Sequence, residues 1–173
     1  MFNLLFLCTG NSARSILAEA ILNKAGCGRL SAFSAGSAPI GKVHPIALDF
    51  LRTLDYPVVD LRSKSWDEFS GSESQKLDLV ITVCDNACRE TCPIWHGQPL
   101  QVHWSTPDPA ARLGSREEQL IAFESVYKML KAKIVALTKL PLEELAPTEL
   151  MKHLNEISNN SHSAAWPEKN NKY

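Results

Sequence analysis

A cysteine and an arginine near the N-terminus are spaced to trap a tetrahedral oxyanion. They enclose the segment Cys8-Thr-Gly-Asn-Ser-Ala-Arg14, a loop of small and turn-forming residues between an apolar run and an amphipathic segment. Backbone N–H groups of such a loop, with the N-terminus of the following helix, favour negative charge in one concavity. The guanidinium of Arg14 can bind two oxygens of the anion. The same field favours the nucleophilic thiolate of Cys8, so we expect its pKa to lie below that of a free thiol.

The other residues of this loop suit the same task. Gly10 lets the backbone approach the anion, and Asn11 tolerates a left-handed conformation. The hydroxyl groups of Ser12 and Ser15 add hydrogen-bond donors. We therefore predict that the oxyanion is bound by Thr9, Gly10, Asn11, Ser12, Ala13, Arg14 and Ser15.

Three further cysteines, Cys84, Cys88 and Cys92, follow another apolar run. Loops beyond the carboxyl ends of parallel strands hold the ligands of open α/β sheets, so these thiols should face Cys8 across one crevice. They could relay a disulfide, hold a metal or simply fill space. Their spacing lacks the Cys-x2-Cys knuckle that is usual in structural zinc sites, which predicts no metal and leaves the relay and the space-filling role open.

Asp108 is a candidate general acid. It lies between Pro107 and Pro109 on a loop that follows the last predicted strand. From this place its carboxyl group could reach the leaving oxygen of a bound anion. An ordinary Asp-Pro turn explains the same residues equally well.

Apolar runs alternate with amphipathic segments, which predicts an α/β fold with a buried parallel sheet. Ser115 and Glu118 form a capping box at the start of the longest helix, and the polar residues after Ser158 predict a disordered end. The predicted strands are Phe2–Leu7, Leu30–Ala35, Leu77–Val83 and Leu100–Trp104. The predicted helices are Ser15–Ala25, Pro45–Leu54, Ser115–Leu137 and Thr148–Ile157.

Composition restricts the class of protein. The chain has 173 residues, of which 45% are hydrophobic, and a net charge of −1. No basic run indicates nucleic acid or an anionic membrane as a partner. The apolar start is too short for a signal peptide, and no stretch approaches the roughly 20 apolar residues of a membrane span. We therefore expect a cytoplasmic protein, in which an odd number of cysteines, here five, indicates catalysis, redox cycling or metal binding rather than structural disulfides.

The loop from Cys8 to Ser15 resembles the active-site loop of the low-molecular-weight protein tyrosine phosphatase superfamily, and it is most similar to the arsenate reductase branch. The resemblance covers residues 1–140 and leaves 141–173 as a C-terminal extension. It implies a flavodoxin-like, three-layer fold with a four-stranded parallel sheet and helices on both faces. It also implies that Cys8 is the nucleophile, that Arg14 and the loop bind the oxyanion, and that Asp108 protonates the departing oxygen.

The middle cysteines strengthen the likeness to the reductases. Val83-Cys84-Asp-Asn-Ala and Cys92-Pro93 resemble the loop that carries their resolving cysteines, which the phosphatases generally lack. The resemblance implies reduction of arsenate, with Cys84 resolving the intermediate on Cys8 and no cofactor. Cys92 or Cys88 would then pass the disulfide to thioredoxin or to a glutathione/glutaredoxin system. Cys88 is additional to the family pattern, so the partner of Cys84 stays open.

Two other functions are compatible with this loop. One is a protein tyrosine phosphatase that hydrolyses phosphate esters with Cys8, Arg14 and Asp108 alone. The other is a non-enzymatic module that binds oxyanions or phosphopeptides, which a loop with both a nucleophile and an acid disfavours.

Three residues around the loop resemble an alkali-cation site found in some reductases. Asn11, Glu19 and Ser34 match the pattern. Lys64 lies where such a site would need a carboxylate, which argues against a bound cation.

Overall fold

Four apolar runs form the four strands of one parallel sheet. The computed structural model describes residues 1–91 and 93–160. The strand order is β2-β1-β3-β4, so β1, which ends in Cys8, lies between β2 and β3. The predicted α/β fold with a four-stranded parallel sheet is confirmed. Its strands are β1 Phe2–Cys8, β2 Leu30–Gly36, β3 Leu79–Thr82 and β4 Leu100–His103.

Helices connect the strands, and their ends follow local sequence signals. The capping box of Ser115 and Glu118 is present at the start of α4. Gly26 ends α1 with its N–H donating to the carbonyl of Leu22, and a Cβ there would lie 2.9 Å from that oxygen. The helices are α1 Arg14–Ala25, α2 Pro45–Thr53, α3 Asp85–Arg89, α4 Arg116–Thr138 and α5 Pro147–Asn159.

The two faces of the sheet are covered unequally. Leu4 and Phe6 of β1 point to one face, where they pack in the same buried cluster as residues of α1, α2, α4 and α5. Leu5 and Leu7 alternate to the other face. They pack there with Trp95 and with a 3₁₀ helix, Trp66–Phe69, that the sequence did not predict. Helical segments therefore cover both faces, but the long helices share one of them.

The end of the described chain packs on this fold. Leu142, Leu150 and Leu154 are buried in the same cluster as the long helices. The division of the chain at residue 140 stays a prediction, and the predicted disorder of 161–173 falls outside the described residues. Within residues 1–91 and 93–160, no helix is long and apolar enough to cross a membrane.

Candidate active site

Cys8 lies at the floor of the loop that joins β1 to α1. Its side chain is buried, with 4% exposed. The backbone N–H of Asn11 donates to the Cys8 Sγ over 3.2 Å, and the Ser15 Oγ lies 2.9 Å from the same sulfur. Asn11 has a φ of 41°, the left-handed conformation expected from the sequence. The thiol is therefore held from two sides, by the turn of the loop and by the first turn of α1.

A second segment, residues 36–44, fixes the orientation of the loop. The carbonyl oxygens of the loop accept hydrogen bonds from backbone N–H groups of this segment, including Thr9 from Ala38 over 3.0 Å and Ser12 from His44 over 2.9 Å. These bonds turn the carbonyls away from the anion concavity. Gly36 makes the approach feasible, because a Cβ there would lie 2.3 Å from the oxygen of Thr9. Sequence reasoning missed this support, for which Gly36 was the available signal.

The predicted general acid lies beside the predicted anion clamp. The Arg14 Nη2 is 3.0 Å from the Asp108 Oδ2, and the Arg14 Nη1 donates to the carbonyl of Thr106 over 3.3 Å. The Asp108 Oδ1 also accepts from the N–H of Ala110 and begins a short 3₁₀ helix, Pro109–Ala111. Asp108 is thus a turn former as well as a carboxyl group at the site. Arg14 thus contacts the loop that carries Asp108 through both of its Nη atoms.

Cys84 and Cys88 differ in their exposure to solvent. Cys84 is buried as the N-cap of α3, where the N–H of Ala87 donates to its Sγ over 3.4 Å. The Thr9 Oγ1 lies 3.6 Å from the same sulfur, so Cys84 lies against the loop that holds Cys8. Cys88 is exposed one turn later on α3. Cys92 falls outside the described residues.

These groups share one open cleft. Its walls include Arg14, Cys84, Thr106, Pro107 and Asp108. The cleft lies at the carboxyl ends of β1, β3 and β4, where ligands bind in open α/β sheets. The guanidinium of Arg14, the carboxyl group of Asp108 and the thiol of Cys84 therefore line one cleft. The structure describes no group of three or more His, Cys, Asp or Glu side chains placed to hold a metal ion.

The expected low pKa of Cys8 is wrong for this structure. Burial raises the pKa of the Cys8 thiol above its ordinary value, and the nearby Cys84 raises it further. The hydrogen bond with Ser15 and the charge of Arg14 oppose these effects without overcoming them. Sequence reasoning counted the donors of the loop, but Arg14 is directed toward Asp108 rather than toward the sulfur.

Because its pKa is raised, Cys8 is a thiol at neutral pH and becomes more reactive as the pH increases. We expect its alkylation by iodoacetamide to accelerate about tenfold per pH unit from pH 7 through the range in which a free thiol ionises, near pH 8.5. Peptide mapping of the alkylated Cys8 against pH measures this. A plateau reached below about pH 7.5, while a cysteine-containing peptide still accelerates, would contradict the raised pKa.

A buried polar network lies behind the loop. The Lys64 Nζ is 3.3 Å from the Glu19 Oε2 and 3.5 Å from the Ser34 Oγ. The Asn11 Nδ2 donates to the Oγ atoms of Ser34 and Ser15, and the Asn11 Oδ1 accepts from the N–H of Lys64. Burial raises the pKa of Glu19, whereas the ammonium of Lys64 lowers it. The side chain of Lys64 thus supplies the positive charge beside Glu19, at the position where a cation site would need a carboxylate.

Removing Lys64 should destabilise the fold strongly. Its side chain is 6% exposed and that of Glu19 is 10% exposed, so Lys64→Met leaves a buried carboxylate without its partner. We expect a loss of about 3 kcal/mol in the free energy of unfolding, measured with urea. Lys128→Met, which breaks an exposed ion pair with Glu124 on α4, should cost less than about 0.5 kcal/mol. Equal losses in both variants would show that burial of the pair contributes nothing.

Comparisons with known proteins agree with this geometry. A family model described as low molecular weight phosphotyrosine protein phosphatase matches residues 3–153. The arsenate reductase of Oceanobacillus iheyensis is 31% identical over 134 residues, which cover 78% of this chain and 93% of that protein. The arsenate reductase of Halalkalibacterium halodurans is 34% identical over 129 residues, which cover 75% of this chain and 89% of that protein.

A solved structure described as an arsenate reductase in the phosphate binding state has the same fold. It superimposes with a TM-score of 0.64 at 25% sequence identity, covering 80% of this chain and 97% of that one. The range matched by the family model contains both the Cys8 loop and Asp108.

Proposed function

Because this chain belongs to the low molecular weight phosphotyrosine protein phosphatase family, we propose that its oxyanion site is that of an arsenate reductase. The observation that carries the proposal is Cys84, a second thiol buried 3.6 Å from the Thr9 hydroxyl of the anion loop. Ester hydrolysis in this family needs one thiol, Cys8. A cysteinyl phosphate can only be hydrolysed, whereas an arsenylated cysteine can accept two electrons from a second thiol.

The first step forms a bond between Cys8 and arsenic. The anion binds to the loop N–H groups, and Arg14 turns from Asp108 to two of its oxygens. An oxygen of the arsenate dianion accepts the proton of the buried Cys8 thiol, and the thiolate attacks arsenic. The carboxyl group of Asp108 donates a proton to the departing hydroxide, which leaves as water. The product is a thioester of arsenate on Cys8.

The second step is the reduction. The thiolate of Cys84 attacks the Sγ of Cys8, and the S–As bond breaks with its electron pair staying on arsenic. Arsenic(V) becomes arsenic(III) and leaves as arsenite, while the two thiols become a disulfide. The N–H of Ala87 and the hydroxyl of Thr9, both directed at the Cys84 sulfur, support its role as the attacking group.

The third step regenerates Cys8. A further thiol attacks Cys84 and releases Cys8 as a thiol, and an external dithiol then reduces the new disulfide. Cys92 matches the family pattern, and Cys88 lies one helical turn from Cys84, with its N–H donating to the Cys84 carbonyl over 3.2 Å. We propose Cys92 for this role. Thioredoxin and a glutathione/glutaredoxin system are the two donors to test.

Hydrolysis of phosphate esters is the second candidate. The family membership supports it, as does the contact of Arg14 with Asp108 beside Cys8. A paired assay separates the two functions: turnover of arsenate with each reducing system, against hydrolysis of an aryl phosphate. Reduction of arsenate with at least one donor is expected. Hydrolysis without any arsenate reduction would replace the proposal with the phosphatase.

Asp108→Asn should slow the chemistry while preserving binding. The amide cannot donate a carboxyl proton to the leaving oxygen, so the first chemical step should fall by about 10²–10⁴-fold. The affinity for phosphate should change little, because Arg14 and the loop N–H groups remain. Rapid-quench kinetics and phosphate titration measure the two effects. If rate and affinity fall together, Asp108 shapes the loop instead of moving a proton.

A further inference from the structure

The carboxylate of Asp85 connects the helix that carries Cys84 to the end of β4. Asp85 is the first residue of α3 and follows Cys84 directly. Its Oδ1 accepts a hydrogen bond from the Ser105 Oγ over 2.9 Å and lies 3.0 Å from the His103 Nε2. The ring of His103 and the hydroxyl of Ser105, at and just after the end of β4, therefore hold the Oδ1 of Asp85.

His103 is itself fixed to the sheet. It is the last residue of β4 and is paired in register with Thr82, the last residue of β3. The His103 Nδ1 lies 2.8 Å from the Thr82 Oγ1, and the carbonyl of His103 accepts from the hydroxyl of Ser158 in α5. In the tautomer that donates Nε2–H to Asp85, the Nδ1 accepts from the Thr82 hydroxyl. The His103 ring thus links Asp85 to the ends of β3 and β4.

The helix α3 depends on such contacts. It has five residues. A single helical turn is not stable alone, because the free-energy cost of nucleating a helix exceeds the stabilisation from one turn of hydrogen bonds. Ala87 is its one buried residue. The hydrogen bonds from Ser105 and His103 lower the pKa of Asp85, so it is a carboxylate at neutral pH. A displaced first turn would also move the N–H of Ala87 away from the Cys84 sulfur.

We propose that Asp85, held by His103 and Ser105, is a positioning residue that keeps the Cys84 thiol against the anion loop for its attack on Cys8. This inference rests on the proposed function. The step that it serves is the formation of the Cys8–Cys84 disulfide with arsenite as the leaving group. Asp85 itself exchanges no proton or electron in that step.

The test compares two chemistries in the same full-length variants. Asp85→Ala and His103→Leu should slow the single-turnover loss of two thiols after arsenate addition by about tenfold, as expected for the loss of hydrogen bonds to a carboxylate. Hydrolysis of an aryl phosphate, which does not use Cys84, should change less than about twofold. His103→Gln is the matched control, because its amide can replace the Nε2–H donor and should restore most of the rate.

Three outcomes of this kinetic comparison would overturn the inference. They are an unchanged disulfide rate, an equal fall of both activities, and a failure of His103→Gln to exceed His103→Leu. A second measurement is independent of arsenate chemistry. Alkylation of Cys84, which is 3% exposed, should accelerate about tenfold in Asp85→Ala if the contact holds it in place. A wild-type protein that reduces no arsenate contradicts the proposed function, whereas unchanged alkylation of Cys84 contradicts the positioning role.

Discussion

Cys84→Ser should stop multiple-turnover arsenate reduction, with a residual rate below about one thousandth of the wild-type rate. A serine hydroxyl cannot take over the attack on Cys8, because it neither ionises near neutral pH nor forms a disulfide. The same variant should hydrolyse an aryl phosphate at a rate close to that of the wild type. The steady-state rates of both reactions in one preparation measure this separation.

Cys27→Ser is the matched control for this variant. Cys27 is exposed at the far end of α1, and its replacement should leave both reactions unchanged. If Cys84→Ser reduces arsenate at the wild-type rate with every donor, the internal relay is wrong. An external thiol would then have to attack the arsenylated Cys8 directly.

Cys8→Ser should abolish both reactions. The serine hydroxyl would lie in the same buried place beside Ser15 and the N–H of Asn11, but it is a far weaker nucleophile than a thiolate. We expect a loss of at least about 10⁴-fold in arsenate reduction and in aryl phosphate hydrolysis. Steady-state assays measure the loss, and a phosphate titration checks that the anion still binds.

The result for Cys8→Ser distinguishes the role of Cys8 in catalysis from the role of the loop in binding the anion. Retained phosphate affinity with no turnover is the expected pair of results, since Arg14 and the loop N–H groups are unchanged. Residual hydrolysis above about one hundredth of the wild-type rate would contradict the role of Cys8 in both reactions. It would also remove the common first step of the two candidate functions.

The main elements of the fold were predictable because they are long and patterned. The apolar run of β1 and the capping box at Ser115 specify a strand and a helix start from local sequence alone. The helix α3 was not predicted, because five residues are too few to show a helical period. The predicted strand Leu77–Val83 shortens to Leu79–Thr82 for a related reason, since an apolar run does not mark where strand pairing ends.

Some features of the candidate site were likewise predictable from local sequence, and others were not. Cys8 ends β1, Arg14 begins α1 and Asp108 lies on a loop. The residue types around them indicate their chemistry, and their roles stay predictions. The sign of the pKa shift of Cys8 depends on the burial of one sulfur and on the direction of Arg14, which no local pattern carries. The bond between Asp85 and His103 likewise needs the register of β3 against β4. Long-range geometry therefore decides the details that short motifs leave open.

Counting free thiols after a single turnover tests the central claim most directly. The protein is mixed with one equivalent of arsenate and no external reductant, the free thiols are blocked, and the disulfide is mapped by mass spectrometry. We predict one equivalent of arsenite, a loss of two free thiols, and a disulfide that joins Cys84 to Cys92 rather than to Cys88. Recovery of all thiols with the arsenate unchanged would contradict the account.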